Sequence, residues 1–316
     1  MDTKITLGIS ACLLGEKVRY DGQHKLDRYL RDELGKHVRY VPVCPEVECG
    51  LPVPREPMHL AAAPEGVRLV TIKTGIDMTD RMHTWAKTRL AALEAEDLCG
   101  FIFKANSPSS GMERVKVYDR NGIPARKGVG LWAAAFMAHF PLLPVEEEGR
   151  LNDAELRENF IERIFAMRRW RDLAAQGRTR GALIDFHARH KLLLMAHDPA
   201  LAREMGALLG RIKDLPLKEA YDRYIELFAR TLARKATVRK HVNVLQHAMG
   251  YFKKVLAAGE KAELLEVIGN YHRGYVPLIV PVTLINHCVR MYGEPYLAAQ
   301  WYLHPHPIDL KLRNHA

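Results

Sequence analysis

Three short apolar runs each end in a motif that carries reactive groups, and this pattern constrains the fold more than anything else in the chain. The runs are residues 6–10 leading into Ala11-Cys12-Leu13, residues 40–43 leading into Cys44-Pro45-Glu46, and residues 100–104 leading towards Ser107-Pro108-Ser109-Ser110-Gly111. Each run is rich in β-branched or aromatic side chains and is stopped by Gly, Pro or Ser, which is the signature of a buried strand. In open parallel sheets, ligands bind outside the carboxyl ends of the strands. Three such ends predict one shared crevice. Two of them deliver a cysteine and the third a hydroxyl-rich turn.

Between the runs the periodicity becomes helical. Leu26, Tyr29, Leu30 and Leu34 repeat at helical spacing. The stretch Gly50-Leu51-Pro52-Val53-Pro54-Arg55-Glu56-Pro57 is excluded from regular structure by its prolines. Thr79 is placed to cap a helix that buries Met82, Trp85, Leu90 and Leu93. A polar-alternating strand is expected at 114–118 and a helix at 131–139. Strands alternating with helices predict an α/β domain, with a mostly parallel sheet and flanking helices.

The chain has 316 residues, more than one core normally serves. Pro141-Leu142-Leu143-Pro144 followed by Glu146-Glu147-Glu148-Gly149 reads as a junction, giving domains 1–148 and 149–316. Past it, Asn152 and Glu155 form a capping-box pair, with Leu156, Phe160, Ile164 and Met167 as the buried stripe. Further helices are expected near 181–196, 199–212, 216–234, 238–257, 260–272 and 278–292. The second domain is therefore expected to be all-α.

No run reaches the roughly 20 apolar residues that span a bilayer. The N-terminus lacks the basic and apolar segments of a secretory signal. A cytoplasmic protein without a membrane partner is the expectation, and no obligate protein partner is evident. Charge is divided unevenly. Residues 1–150 carry 21 Lys and Arg against 20 Asp and Glu, whereas residues 151–316 carry 26 against 17. A neutral half joined to a basic half suggests a chemical domain plus one that meets a polyanion. A helical domain with a solvated basic surface is the plain alternative. The candidate phosphate contacts are Arg178, Arg180, Arg189, Lys191, Arg239, Lys240, Lys253, Lys254 and Arg273. Tyr251, Phe252 and Tyr271 are candidate stacking surfaces unless they pack in the core. The pair His187 and His190 has metal-ligand spacing but no carboxylate cluster nearby, and with His197 it reads as packing.

The five cysteines are odd in number and widely spaced, which argues against a disulfide framework. Cys99 and Cys288 lie inside apolar patterns and read as buried packing. Cys12 and Cys44 each follow a strand and open a loop. Thiolates bind zinc and iron–sulfur clusters. Ligands from two separate strand ends do not match zinc-finger spacing, but they suit a cluster held between loops. A four-iron cluster with three protein ligands keeps one iron open, by the logic of an open catalytic zinc. Glu46 is positioned to act there as a general acid or base. Its plain alternative is an ion pair with Arg55 or Arg19.

Ser10-Ala11-Cys12-Leu13-Leu14-Gly15, Arg19-Tyr20-Asp21-Gly22, the run from Cys44 to Glu56 and the run from Lys104 to Gly111 together resemble the motif set of the thiouracil desulfurase (TudS-like) family. The resemblance covers residues 5–148. Residues 176–192 and 241–252 resemble the helical YbgA-like domain. The fused arrangement is similar to desulfidases that convert 4-thiouridine in transfer RNA to uridine. The resemblance implies a [4Fe–4S] cluster with one open iron, held by three cysteines, two of them Cys12 and Cys44. The family's third ligand is a cysteine where this chain has Ser110. Three readings stay open: Cys49 takes over; Ser110 ligates or leaves a labile cluster; or the chemistry is changed or lost. Glu46 and Ser107 match positions beside the substrate. The implied reaction is hydrolytic and non-redox, releasing hydrosulfide. Its alternatives are desulfuration of free thiouracil or thiopyrimidine nucleotides, or nucleic-acid binding without catalysis.

Overall fold

A computed structural model describes residues 4–315. In chain order, the first part contains strands β1 (Ile5–Ser10) and β2 (Val38–Val43), helix α1 (Pro45–Glu48), strands β3 (Met58–Ala63) and β4 (Gly66–Thr71), and helix α2 (Thr79–Glu94). Strands β5 (Phe101–Phe103), β6 (Val115–Tyr118) and β7 (Pro124–Gly128), helix α3 (Leu131–His139) and strand β8 (Val145–Glu147) follow. The chain separates into two compact units between Asp153 and Ala154.

The first unit is α/β. Its main sheet is wholly parallel, in the order β2-β1-β5-β8. All six residues of β1 are buried, as expected of a parallel strand covered on both faces. Gly8 has a packing reason: a Cβ there would lie 2.2 Å from Cδ2 of Phe101. The Phe101 ring stacks on Phe103 at 4.4 Å and meets Phe136 of α3 at 4.7 Å. This aromatic block fixes the helix over the sheet.

A second sheet, in the order β4-β3-β6-β7, was not expected. Only β3 and β6 are parallel within it. Met58, Leu60, Leu69, Val115 and Val117 bury its inner face against Met82 and Leu131.

Several local expectations are corrected. The periodic stretch from Leu26 to Leu34 forms only a π turn at Tyr29–Glu33 and a 3-10 turn at Leu34–Lys36. Thr79 is the first helical residue, not the cap; its hydroxyl instead accepts the Leu69 N–H at 2.9 Å. Residues 145–147, expected in the junction, pair with β5 as an edge strand. Asn152 ends a 3-10 turn, and the next helix begins two residues later.

Every element of the second unit is helical among the described residues. The helices are α4 (Ala154–Ala175), α5 (Arg180–His197), α6 (Pro199–Gly210), α7 (Leu217–Leu232), α8 (Val238–Gly250), α9 (Ala258–His272), α10 (Ile279–Tyr292) and α11 (Pro295–Ala298). Side-chain caps punctuate them. Thr179 accepts the Ala182 N–H at the start of α5, and Asp198 accepts those of Ala200 and Leu201 at the start of α6. Trp170, Phe186, Tyr224 and Phe228 form the aromatic centre. In the same unit the buried Arg313 donates to Glu162 at 2.7 Å, to Glu158 at 3.3 Å and to the Tyr302 carbonyl.

Candidate active site

In the parallel sheet, the chain runs from β1 outward to β2, then returns across β1 to β5. The reversal opens a crevice at the carboxyl ends. Parallel register sets Ser10 opposite Val43, so the segments carrying Cys12 and Cys44 leave the sheet side by side. The turn after β5 closes the third side. Together they enclose a cavity of about 310 Å³ lined by Cys12, Cys44, Glu46, Ser107, Ser109 and Ser110.

Glu46 sits on α1, the single turn that follows Cys44. Its Oε2 accepts from Nε of Arg55 at 2.8 Å and also from Nη2 of the same guanidinium. The expected ion pair with Arg55 is thus present, and it leaves the other oxygen free for the crevice. That oxygen, Oε1, accepts from the Ser109 hydroxyl at 2.9 Å. Ser109 and Ser107 are 3.0 Å apart. Because Ser109 donates to the carboxylate, Ser107 donates to Ser109. Ser107 in turn accepts the backbone N–H of Ser110 at 3.1 Å. The hydrogen bonds therefore run in one direction, from the serine turn to the carboxylate.

The serine turn is seated on α3. Trp132 and Ala133 donate their N–H groups to the Ser109 carbonyl at 2.9 and 3.2 Å, which satisfies the open end of the helix. Gly130 makes this approach possible, since a Cβ there would lie 2.5 Å from the Ser109 carbonyl.

Burial pushes the Cys12 thiol up to about 11, against the pull of Lys104 and Arg19. Burial raises Cys44 as well. Without a bound cation these groups stay thiols at neutral pH, and a metal would displace their protons. Lys104 is held by Glu148 and donates to the Ala105 carbonyl at 2.9 Å, while Glu148 also accepts the Ala105 N–H at 2.7 Å. Two thiols and a serine hydroxyl, with Lys104, Arg19 and Arg55 lining the same cavity, make a donor set that fits an anionic metal–thiolate centre.

Cys49 does not belong to this set. The turn of α1 carries it to the far side of the loop, where it packs with Met58, Leu60 and Met82. There its thiol donates to the Glu46 carbonyl at 3.3 Å, and Arg81 donates to its own carbonyl at 2.7 Å. Cys49 is therefore absent from the lining of this cavity, whereas Ser110 is part of it. Sequence reasoning gave no role to Ser109 or to the Lys104–Glu148 pair. Lys104 and Ser109 lie within the motif from Lys104 to Gly111, whereas Glu148 falls in the acidic stretch that reads as a junction.

In the second unit, Arg178, Arg189, Lys191, Arg239, Lys253, Lys254 and Arg273 are exposed. Arg180 and Lys240 are committed elsewhere. Arg180 donates to the carbonyls of Ile212 and Leu215, and Lys240 to those of His197 and Lys235. Phe252 and Tyr271 are buried, which excludes them as stacking surfaces; Tyr251 is exposed. His190 stacks on Phe186 at 4.0 Å, and both ring nitrogens of His197 face protein acceptors. His190 and His197 thus pack within the helical unit, whereas His187 lines a cavity.

Residues 7–148 match the family described as 2-thiouracil desulfurase. Residues 191–307 match the family described as protein of unknown function DUF1722. YbgA, an uncharacterized protein of Escherichia coli strain K12, is 33% identical over 165 residues, or 52% of this chain and 98% of YbgA. YbbK, an uncharacterized protein of Bacillus subtilis strain 168, is 31% identical over 108 residues, 33% of this chain and 71% of YbbK. A solved structure, the [4Fe-4S]-dependent thiouracil desulfidase TudS, is 34% identical; the match covers 48% of this chain and 95% of TudS, with a TM-score of 0.39. No helix among the described residues is long and apolar enough to cross a membrane. The chain belongs to the TudS-like family of 2-thiouracil desulfurase domains, here joined to a YbgA-like helical domain.

Proposed function

We propose that this protein is a desulfidase that hydrolyses the thiocarbonyl of 4-thiouridine in transfer RNA to a carbonyl. It does so with a [4Fe–4S] cluster held by Cys12, Cys44 and the Ser110 hydroxyl, one iron being left open. The observation that carries the reading is the meeting of both thiols, Glu46 and the serine turn in one cavity at the strand ends. Family membership and the relation to TudS support the chemistry and the cofactor. Thiolate is the preferred iron ligand and serine a harder one, so this site should hold its iron less firmly than a three-cysteine site.

Overall, C=S and water give C=O and hydrogen sulfide, with no electrons exchanged. When bound, the cluster supplies Lewis-acid iron and an acceptor for sulfur. The chain's own residues handle water and protons. Glu46 Oε1 takes a proton from the water that adds to C4 of the base, and it returns one as the sulfur departs. Arg55 fixes Oε2, so Oε1 is the oxygen that works. Ser109 and Ser107 hold that oxygen in line with the serine turn. Lys104 and Arg19 offset negative charge as it builds on sulfur. The excess basic charge of the second unit supplies phosphate contacts that a free base would not need.

The test is anaerobic purification, iron and sulfide analysis, and assay of hydrosulfide release. Brown protein that desulfurises transfer RNA bearing 4-thiouridine is expected. Turnover of free 2-thiouracil without turnover of the RNA would overturn the substrate assignment. Protein without iron or sulfide after anaerobic preparation would overturn the cluster.

A further inference from the structure

The helical unit contains a cavity of about 820 Å³ that the proposed chemistry does not use, lined from α5, α6, α8 and α11. This lies within the size range of small-molecule sites. Its lining combines three kinds of surface. Ile184, Met195 and Leu209 are apolar, and Lys191 and Arg203 are cationic. Tyr251 and Tyr296 form an aromatic wall, their rings 4.9 Å apart and within 14° of parallel. No Asp or Glu among the described residues lines the cavity.

The polar groups are arranged as neutral partners. His187 Nδ1 lies 3.2 Å from the Tyr224 hydroxyl, and burial pushes its pKa down to about 4. His247 lies edge-on to Tyr251 at 5.7 Å. Asn243 contributes an amide. Tyr251 is 38% exposed, so part of the wall is open to solvent. A flat hydrogen-bonding ring attached to an anion matches this set: aromatic wall, neutral imidazoles and amide, and two cations without a competing carboxylate. An amine or a cationic ligand would meet two like charges and no carboxylate.

We propose that this cavity binds a single unstacked nucleotide, its base against the Tyr251–Tyr296 wall and its phosphate on Lys191 and Arg203. The nucleotide has two possible sources, a residue of single-stranded RNA or a free mononucleotide. The RNA source rests on the RNA reading above; the nucleotide chemistry does not.

The test uses the full chain and unthiolated probes, so it can fail without touching the desulfidase reading. Binding of a labelled single-stranded oligouridylate is followed by anisotropy, and binding of uridine 5′-monophosphate by calorimetry. Tyr251→Ala should weaken binding at least about five-fold, as loss of a base–aromatic stack does, and Tyr251→Phe should retain it. Replacing both Lys191 and Arg203 with Ala should lower the salt slope of oligouridylate binding by about 0.7, the value for one phosphate neutralised in a single strand. Tyr251-dependent binding of the mononucleotide alone would support the site and assign it to free nucleotides. Parent affinity of Tyr251→Ala for both probes would overturn the proposal. So would inorganic phosphate competing as well as uridine 5′-monophosphate, or no binding of either probe.

Discussion

Ser109 donates a 2.9 Å hydrogen bond to Glu46, tying the turn after β5 to the turn after β2. The two residues are far apart in sequence. Their contact exists because two parallel strands flank β1 and end on the same side of the sheet. The bond occupies the one carboxylate oxygen that Arg55 leaves free, so it aims Glu46 into the crevice.

Glu46→Gln should keep its iron and lose most turnover, since general acid–base catalysis is worth on the order of 10²–10⁴-fold. Ser109→Ala should lower kcat by less, with iron and KM unchanged, because it only positions the carboxylate. Iron content and steady-state kinetics check both. A Gln variant within a few-fold of the parent would remove Glu46 from the chemistry.

Cys12→Ala and Cys44→Ala should each lose iron, whereas Cys49→Ala should keep it, because Cys49 packs away from the cavity. Ser110→Cys should slow the loss of iron to a chelator, by giving the third position a thiolate. Iron loss in Cys49→Ala would return Cys49 to the ligand set. Equal chelation rates for the parent and Ser110→Cys would argue against Ser110 as a ligand.

Arg313→Met should destabilise the helical unit by about 3–5 kcal/mol, the usual cost of leaving buried charge without its partner. Both Glu158 and Glu162 lose the Arg313 guanidinium in that variant, keeping only imidazole neighbours, His315 and His197. Urea unfolding followed by helical circular dichroism gives the number. A change below about 1 kcal/mol would show that the carboxylates find other partners.

Buried imidazoles predict a stability profile on the acid side. Burial pushes His241 down to about 3 and His306 down to about 4, against roughly 6.5 in the unfolded chain. Between those values the unfolded state binds more protons, so stability falls with falling pH. It is fully present above about pH 6.5 and is lost progressively towards the folded values. Burial raises Glu158 to about 8, which acts in the opposite sense in its own window, so the informative quantity is a difference. His241→Gln should flatten the decline between about pH 6 and 4 relative to the parent. Parallel unfolding profiles for the two proteins would count against a neutral buried His241.

The three strands that build the crevice were legible because buried parallel strands are continuous apolar runs, and each ended in an unmistakable punctuation. Helix α3 and most helices of the second unit were legible from their apolar spacing. The second sheet was not. Pro124–Gly128 has no large apolar residue to alternate, and Met58–Ala63 ends in three alanines; both are strands because neighbours hydrogen-bond to them. Cys49 misled for a related reason. Nearness in sequence suggested a shared site, but a single helical turn was enough to point it elsewhere. Ser109 acquires its meaning only when two strand ends are brought together.

The pairing of Ser10 with Val43 has a consequence for how such a chain can diverge. The two thiols are neighbours because their strands are in register, not because a fixed number of residues separates them. The connection enters β2 at its amino end, beside the exposed Lys36, on the opposite rim of the sheet from the cysteines. Doubling a loop costs only about 0.6 kcal/mol in closure entropy. Insertions, deletions or a grafted module at that rim would therefore leave the cysteine pair untouched, whereas a one-residue slip between the strands would dismantle it.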